Sequence, residues 1–338
     1  MSNPTLPASM GSTTPVSTRN RAAEILGSIL RVREITMVIL ILIMGIAMSI
    51  LSPHFLHVGN FVAMARGFSM EGLVVVGMST LLIAGAFDLS VGSIMALSGI
   101  IAAWLIRTAH VPYVVAVLGG LGVGFLSGTI NGIVVTRIKV NPLIATLGMM
   151  SVARGVALGL TEGRPVINIP ADFAFIGQGS VLGVPLIIIY MVVIVLVADV
   201  LLRRGRALRQ LYYVGSSEKA ARLSGINADR VVFLAYIACG LLTALAGVIS
   251  MARLTSGVPT AFAGTEMRIM AACVIGGMSL SGGEGTIIGA ILGLIFMALV
   301  TNALTLFGVS IYWEGVVTGT ILTAAVSFDM LSRRRLKT

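Results

Sequence analysis

The sequence predicts an all-α polytopic membrane protein with about ten transmembrane helices. Of its 338 residues, 57% are hydrophobic and 11% are charged, whereas soluble domains carry about 25% charged residues. The apolar residues fall into runs of about 20, the length that spans the hydrocarbon core of a bilayer. The net charge of +10 comes from basic residues beside these runs, which is typical of cytoplasmic loops. Nucleic-acid binding is therefore not expected.

The apolar runs divide the chain into three parts. Residues 1–34 begin with a stretch rich in Ser, Thr, Pro and Asn, and are expected to form a disordered cytoplasmic tail. Residues 35–331 form the transmembrane domain, and residues 332–338 form a basic cytoplasmic tail. The ten expected spans are 35–51, 68–86, 90–106, 114–136, 142–160, 185–202, 231–251, 267–280, 287–306 and 313–331.

The distribution of Lys and Arg orients these spans. Most of the 23 Lys and Arg residues precede the first span, follow the fourth, lie within residues 203–230 or end the chain. Because basic loops stay in the cytoplasm, both termini are expected inside the cell. Residues 161–184 then form the longest loop on the opposite side.

A weak internal repeat relates the two halves of the chain. The segment Phe87–Ala96 aligns with Phe262–Ala271 at an offset of 175, and Asn131 falls opposite Asn302 at an offset of 171. Because the aligned spans lie five apart, they run in opposite directions, as in inverted-repeat transporters. The sequence therefore predicts an inverted repeat of five plus five helices, although Gly- and Ala-rich helices also agree by chance.

Two glycine-rich stretches interrupt the apolar pattern. Gly276–Thr286 reads GGMSLSGGEGT, and Gly85–Ser93 reads GAFDLSVGS. Small residues let backbones approach closely in a membrane, and helices are broken there where polar backbone lines a cavity. Some helices are therefore expected to be broken or re-entrant at these two stretches.

Residues 203–230 form the one strongly polar internal segment. Within it, residues 215–226 read GSSEKAARLSGI, which predicts a short helix. Ser216 or Ser217 can cap its start, and Gly225 suits its end. A short amphipathic helix beside a membrane domain is typical of a docking element, although an ordinary solvated loop is the alternative.

Together these motifs resemble those of ribose-type sugar permeases, the membrane subunits of bacterial ATP-binding-cassette (ABC) importers. The family shows a GGxSLxGGxGT run, matched by Gly276–Thr286, and a DLSVGS motif, matched by Asp88–Ser93. Its docking-helix pattern GxxxxAAxxxGI is matched at residues 215–226, and its TLG motif at Thr146–Gly148. The resemblance extends over residues 35–331.

The resemblance implies a permease subunit that imports a monosaccharide by alternating access. A separate ATPase subunit would use the ATP, and the chain itself would bind no cofactor. A second permease subunit, identical or homologous, would complete the path, and an extracytoplasmic sugar-binding protein would deliver the sugar. The chain would be a multi-pass protein of the bacterial inner membrane, surrounded by the lipid bilayer.

The resemblance also assigns the short helix to coupling with the ATPase. Its small face, Ala220-Ala221, is expected to allow close approach to that subunit. The Asn that usually follows the first glycine in this family is replaced here by Ser216-Ser217. The residues expected to contribute to coupling are Gly215, Ser217, Glu218, Ala220, Ala221, Arg222 and Gly225.

Polar residues in the spans are candidates for lining the sugar path or holding helix breaks. Sugars need hydroxyl-matching donors and acceptors rather than fixed charge. Asp88 can cap the helix that begins near Ser90 or line the path, and capping is favoured. Any of the others can equally be a hydrogen bond between helices. The full set is Asp88, Ser90, Asn131, Asn141, Thr146, Ser279 and Asn302.

An ion-coupled secondary transporter is the alternative function, because such proteins also use inverted repeats. It would need buried carboxylates, for which Glu71, Asp88 and Glu314 are the candidates. The docking-helix pattern argues against it. The sequence has no GxxxxGK(S/T) motif, no nucleophile–base constellation and no CxxC spacing, so neither a catalytic nor a metal site is expected.

Overall fold

The computed structural model describes residues 33–335. Within that range the chain forms thirteen α-helices, one short 3-10 turn (Ile311–Trp313) and one hairpin of strands β1 (Ser180–Val181) and β2 (Val184–Pro185). In chain order the helices are α1 (Arg33–Leu51), α2 (Val58–Ile83), α3 (Val91–Arg107), α4 (Tyr113–Thr136), α5 (Pro142–Thr161), α6 (Ala171–Gln178), α7 (Leu186–Arg204), α8 (Arg206–Ser216), α9 (Glu218–Leu223), α10 (Ala228–Leu254), α11 (Thr265–Ile275), α12 (Ile287–Leu306) and α13 (Glu314–Arg335).

Seven of the described helices are long and apolar enough to cross a membrane, namely α1, α2, α4, α5, α7, α10 and α12. Helix α3 is shorter, with 17 residues. Helix α11 has 11 residues, which at about 1.5 Å per residue reaches about half of a hydrocarbon core roughly 30 Å thick. The all-α, multi-pass membrane fold is therefore confirmed, whereas the ten-span inverted repeat stays a prediction.

Each predicted span coincides with a described helix, but two bounds differ by several residues. Helix α2 begins at Val58 and not near residue 68, because polar residues such as Asn60 lower the local hydropathy without breaking the helix. Helix α11 ends at Ile275 and not near residue 280. The loop that follows places Gly277 at a φ of 95°, a conformation that glycine adopts readily and that no α-helix contains.

The two predicted tails lie mostly outside the described residues, which exclude 1–32 and 336–338. Helix α1 begins at Arg33, inside the first predicted tail, and α13 continues to Arg335, inside the second. The bounds of the transmembrane domain stay a prediction.

Both long predicted loops contain regular structure. Residues 161–184 include α6 and the antiparallel hairpin, and residues 203–230 include α8 and α9. In the hairpin turn, Leu182 and Gly183 have φ values of 53° and 81°, as two-residue hairpin turns require. Leu182 is 99% exposed, so an apolar side chain stands at the tip of this loop.

Helices α2 and α10 form the centre of the fold, with α3 and α4 against α10 and with α7, α11 and α12 against α2. Where α4 crosses α10, a Cβ on Gly124 or Gly240 would overlap the carbonyl oxygen of the other. Between α3 and α10, a Cβ on Gly99 would lie 2.9 Å from the carbonyl oxygen of Gly247. Small residues therefore set the spacing of the central helices.

The helices in the two halves of the chain have corresponding packing partners. Helix α3 packs on α4, α5 and α10, and α11 packs on α12, α13 and α2. These are corresponding partners if the series α2, α3, α4, α5 is aligned with the series α10, α11, α12, α13. In both series the second helix follows an irregular loop and the first helix lies at the centre.

Candidate functional site

Two loops and the end of helix α8 meet through their glycines at one end of the helices. Gly85 follows α2, Gly215 lies near the end of α8, and Gly282 and Gly283 lie between α11 and α12. The Gly283 N–H donates to the carbonyl oxygen of Ile83 at 2.8 Å. A Cβ on Gly215 would overlap that oxygen, and one on Gly282 would lie 2.8 Å from the Cα of Gly85. This contact, the glycine junction, brings backbone directly against backbone.

The predicted coupling segment consists of the end of α8 and the six-residue α9. The predicted short helix is α9, and Gly215 belongs to the preceding helix α8. The chain is interrupted at Ser217, whose φ of −163° is extended and not helical. Of the two serines considered as caps, Ser217 caps α9, because its hydroxyl oxygen accepts the Ala220 N–H at 3.3 Å. Gly225 follows the helix with a φ of 80°.

The small face of α9 does not point outward as predicted. Ala221 is 3% exposed and packs with Val214 and Ala228 of the same chain, because the short helix needs an apolar side against its neighbours. Of the two alanines only Ala220 is exposed. The apolar side chain that projects from the segment is Leu223, 82% exposed. Sequence reasoning missed Leu223, although a leucine on the polar side of a short helix was the available signal.

A network of ion pairs fixes the position of α9. Arg222 contacts Glu218 and Asp229, each at 2.8 Å, and Lys139 pairs with the same Asp229. Hydrogen bonds to Asp229 and then to Glu218 raise the pKa of the Arg222 guanidinium above its ordinary value. Asp229 begins α10, and Lys139 lies between α4 and α5. Single exposed pairs contribute little free energy, but this network ties α9 to two other parts of the fold.

Three of the predicted path residues form one buried cluster at the start of α3. Asp88 is fully buried, and its Oδ1 accepts the hydroxyl and the backbone N–H of Ser90, the latter at 2.8 Å. Asn131 on α4 donates from Nδ2 to Asp88 Oδ2 and to the Ser90 hydroxyl oxygen, both at 3.1 Å. The cluster gives partners to a carboxylate and to a helix start that are closed off from solvent.

Three other predicted path residues bond locally. Asn141 caps α5 by accepting the backbone N–H two residues on at 2.8 Å, and it borders a cavity of about 260 Å³ beside α9. Thr146 is buried, and its hydroxyl donates at 2.8 Å to the carbonyl oxygen four residues earlier. Ser279 lies in the loop of the glycine junction, where its hydroxyl oxygen accepts the Ser281 N–H at 3.0 Å.

Asn302 lines a second cavity, of about 410 Å³, which lies between α2, α11 and α12. Its side-chain amide exchanges two hydrogen bonds with that of Asn60, at 2.7 and 3.2 Å. Asn60 also donates to the carbonyl oxygen of Phe55 at 3.0 Å. The structure therefore does not bring Asn302 together with the other predicted path residues.

A charged cluster borders the same cavity. Arg268 on α11 contacts Glu71 on α2 at 2.7 Å, and it also pairs with Glu314 at the start of α13. The Thr301 hydroxyl donates to Glu314 at 3.3 Å. Sequence reasoning weighed the two glutamates only as ion-coupling carboxylates and missed Arg268 as their common partner. The available signal was the presence of charged residues within apolar helices.

The two cysteines and the other potential metal ligands form no further site in the described part of the chain. Cys239 and Cys273 are buried and free. No three His, Cys, Asp or Glu residues between positions 33 and 335 lie close enough together to hold a metal ion. The chemistry available there is hydrogen bonding and ion pairing.

Replacing Asp88 tests whether it holds the break between α2 and α3. Asp88→Ala leaves the buried Ser90 N–H without its acceptor and removes one of the two hydrogen bonds of the Asn131 amide, which costs about 1–3 kcal/mol. Asp88→Asn keeps an acceptor oxygen, so its midpoint of thermal unfolding in detergent should fall less. The exposed Asp172 gives a matched control in Asp172→Ala. Equal midpoints for Asp88→Ala and this control would contradict the capping role.

Comparison with known proteins places this architecture in a family. The family model described as "Branched-chain amino acid transport system / permease component" matches residues 60–326. No solved structure matches the chain.

Several characterised proteins are similar to the chain over most of its length. It is 38% identical over 295 residues to the ribose import permease of Escherichia coli K12, covering 86% of this chain and 92% of that protein. It is 40% identical over 289 residues to the ribose import permease of Bacillus subtilis 168, covering 85% and 89%. With the L-arabinose transport system permease of E. coli K12 the identity is 34% over 302 residues, covering 89% and 92%. The chain therefore belongs to this family of ABC transporter permeases, which are membrane transport subunits and not enzymes.

Proposed function

We propose that the chain is the permease subunit of an ATP-driven importer and that its cargo is a monosaccharide. The observation that carries this proposal is the similarity to ribose import permeases over 92% and 89% of their length. Similarity at that extent covers the membrane helices, the glycine junction and the coupling segment together. The sugar itself is not fixed, because one of the similar proteins is named for L-arabinose.

The importer would need three kinds of partner. A separate ATPase subunit uses the ATP, since this sequence has no P-loop motif, and the permease binds no cofactor of its own. A second permease subunit, identical or homologous, completes the path. A sugar-binding protein docks on the opposite side of the membrane and delivers the cargo.

The proposed topology has ten spans in a bacterial inner membrane, with both termini in the cytoplasm. The seven long helices supply seven spans, and α3, α11 and α13 supply the others as shorter or interrupted segments. The matching partners of α3 and α11 support an inverted repeat in which α2 corresponds to α10. On this topology α8, α9 and the glycine junction face the cytoplasm, and the hairpin tip at Leu182 faces outward.

We assign coupling to the ATPase to α9, and its placement supports this. Its exposed Leu223 would enter an apolar pocket on the ATPase, and its ion pairs through Arg222 and Asp229 would carry movement to α10 and to the α4–α5 loop. Movement of α8 would press Gly215 against the loops after α2 and α11. Alternating access then results as helix groups on either side of these loops rotate.

The two sets of predicted path residues would act differently. Asp88, Ser90 and Asn131 are buried, and their hydrogen bonds to one another hold the start of α3 in position. Asn302 lines the larger cavity, and Asn141 stands at the mouth of the smaller one. Thr146 and Ser279 support α5 and the glycine-rich loop through their local hydrogen bonds.

The ion-coupled alternative is not favoured. Asp88 accepts three hydrogen bonds, and Glu71 and Glu314 share the guanidinium of Arg268. A coupling ion would have to compete with these existing partners for each carboxylate. The family membership also assigns the energy source to ATP.

Uptake into vesicles tests the proposed function. Vesicles that contain the permease, its ATPase and its binding protein should take up a monosaccharide only when ATP is supplied on the ATPase side. Vanadate should stop this uptake, and an uncoupler should leave it unchanged. Uptake that runs on an ion gradient without ATP would instead support the secondary transporter.

A single charge at the tip of α9 tests the coupling role. Leu223→Glu would place an unpaired carboxylate in the apolar contact with the ATPase, and burying such a charge costs several kcal/mol. The permease should still accumulate and fold, yet it should lose most of the ATPase on co-purification. The matched control is Leu182→Glu, the same change at an exposed leucine outside the segment. Full retention of the ATPase by Leu223→Glu would contradict the assignment of Leu223 to the ATPase contact.

Thiol labelling tests the proposed orientation. Lys219 on α9 and Leu182 on the hairpin are both exposed, and the native Cys239 and Cys273 are buried. An impermeant reagent should label Lys219→Cys only from the cytoplasm and Leu182→Cys only from outside. Labelling of both positions from one side would refute the proposed topology.

A further inference from the structure

We propose that the 410 Å³ cavity between α2, α11 and α12 is a binding subsite for one monosaccharide within a single permease subunit. The inference rests on the proposed function, since it takes the class of solute from there. It adds a binding position along the transport path and names the residues that contact the solute there.

The depth of the cavity suits a site inside the membrane. It extends along α2 from Asn60, near the helix start, to Glu71, eleven residues further on. At about 1.5 Å per residue this is roughly 16 Å, or half of the hydrocarbon core. On the proposed topology the start of α2 is extracytoplasmic, so the cavity reaches from the outer face to the middle of the membrane.

Small residues keep the cavity open. Ala63 and Gly67 on α2 and Ala298 on α12 form part of its wall. A Cβ built on Gly67 meets no atom within 4 Å, so the space beside this glycine is empty and a larger side chain can enter it. The cavity falls within the range of about 300–1,000 Å³ that is usual for small-molecule sites.

Its polar groups match the hydroxyl groups of a sugar. The amides of Asn60 and Asn302 supply both donors and acceptors, and the hydroxyls of Thr301 and Thr305 supply more. The two partly buried amides bond to each other at 2.7 and 3.2 Å, so a sugar hydroxyl can replace one of these bonds without leaving an amide unpaired.

The charged cluster sets what kind of solute fits. Glu71, Arg268 and Glu314 together carry one net negative charge, which disfavours an anion and accepts a neutral polyol. Glu71 and Arg268 line the cavity, and their side chains are 15% and 24% exposed, so they are not sealed in the core. Charges in a membrane-spanning region are costly and normally face a water-filled path. A purely structural clamp between α2, α11 and α13 is the competing explanation.

Replacing Gly67 by a larger residue distinguishes a sugar subsite from a structural clamp. The change occupies space in the cavity and leaves every polar side chain in place. Gly67→Leu should slow ATP-driven uptake by about tenfold or more at saturating sugar and binding protein, because the binding protein and not the permease sets the sugar concentration for half-maximal uptake. Gly45→Leu is the matched control, because Gly45 is also helical and its Cβ would also meet no atom within 4 Å. Both variants should retain the ATPase and melt like wild type, since the Cβ at either position meets no atom within 4 Å.

Direct occupancy is read by thiol protection, which does not need transport. Gly67→Cys in the purified permease–ATPase complex should react with a small thiol reagent, and millimolar ribose or L-arabinose should slow this reaction. Sodium chloride at the same concentration should not, and Asn302→Ala combined with Gly67→Cys should weaken the protection. A Gly45→Cys variant should react at the same rate with and without sugar.

The outcomes distinguish the two proposals. If the wild-type importer takes up no monosaccharide, the proposed function fails. If it does take up sugar, while Gly67→Leu behaves like Gly45→Leu and Gly67→Cys is not protected, the subsite is overturned and the charged cluster is a clamp. Slower uptake with protected labelling supports the subsite.

Discussion

Direct contact of backbone with backbone at the glycine junction is the constraint on which the rest of the structure depends. Gly215 of α8 touches the carbonyl oxygen of Ile83, and Gly283 donates its N–H to that same oxygen at 2.8 Å. The end of α2, the end of α8 and the α11–α12 loop are therefore held at fixed separations. Helix α9 begins three residues after Gly215, so the segment proposed to contact the ATPase is joined through backbone contacts to the end of α2 and to the α11–α12 loop.

The helix breaks before α3 and before α11 depend on hydrogen-bond partners for their backbone groups, since water is excluded from an apolar fold. At the start of α3 this is achieved by Asp88, which lies before the helix and binds Ser90 and Asn131. At the start of α11, Glu266 accepts the Gly264 N–H at 3.1 Å from within the first turn. The two halves of the proposed repeat thus share the position of the break and differ in the residue that satisfies it.

The helices could be predicted from sequence because the apolar runs and the bilayer thickness together determine where a helix must lie. Hydropathy places the start of α2 ten residues late, because it detects the apolar part of a helix and not the more polar turns that precede it. The orientation of Ala221 could not be predicted, because it depends on how α9 packs against Val214 and Ala228. The pairing of Glu71 with Arg268 joins residues on two helices far apart in the chain, and no local pattern encodes such a contact.

Side-chain interfaces can adapt when one partner changes, because neighbouring rotamers shift to fill or clear space. The glycine junction has less of this freedom, since a Cβ on Gly215 or Gly282 would overlap a backbone atom of a neighbouring segment. A chimera that takes only the coupling segment from a relative would set a foreign α8 backbone against the native loops after α2 and α11. The end of α8 and the two loops are therefore interchangeable only as a set, so the proposed contact with the ATPase and the geometry of these two loops are inherited together.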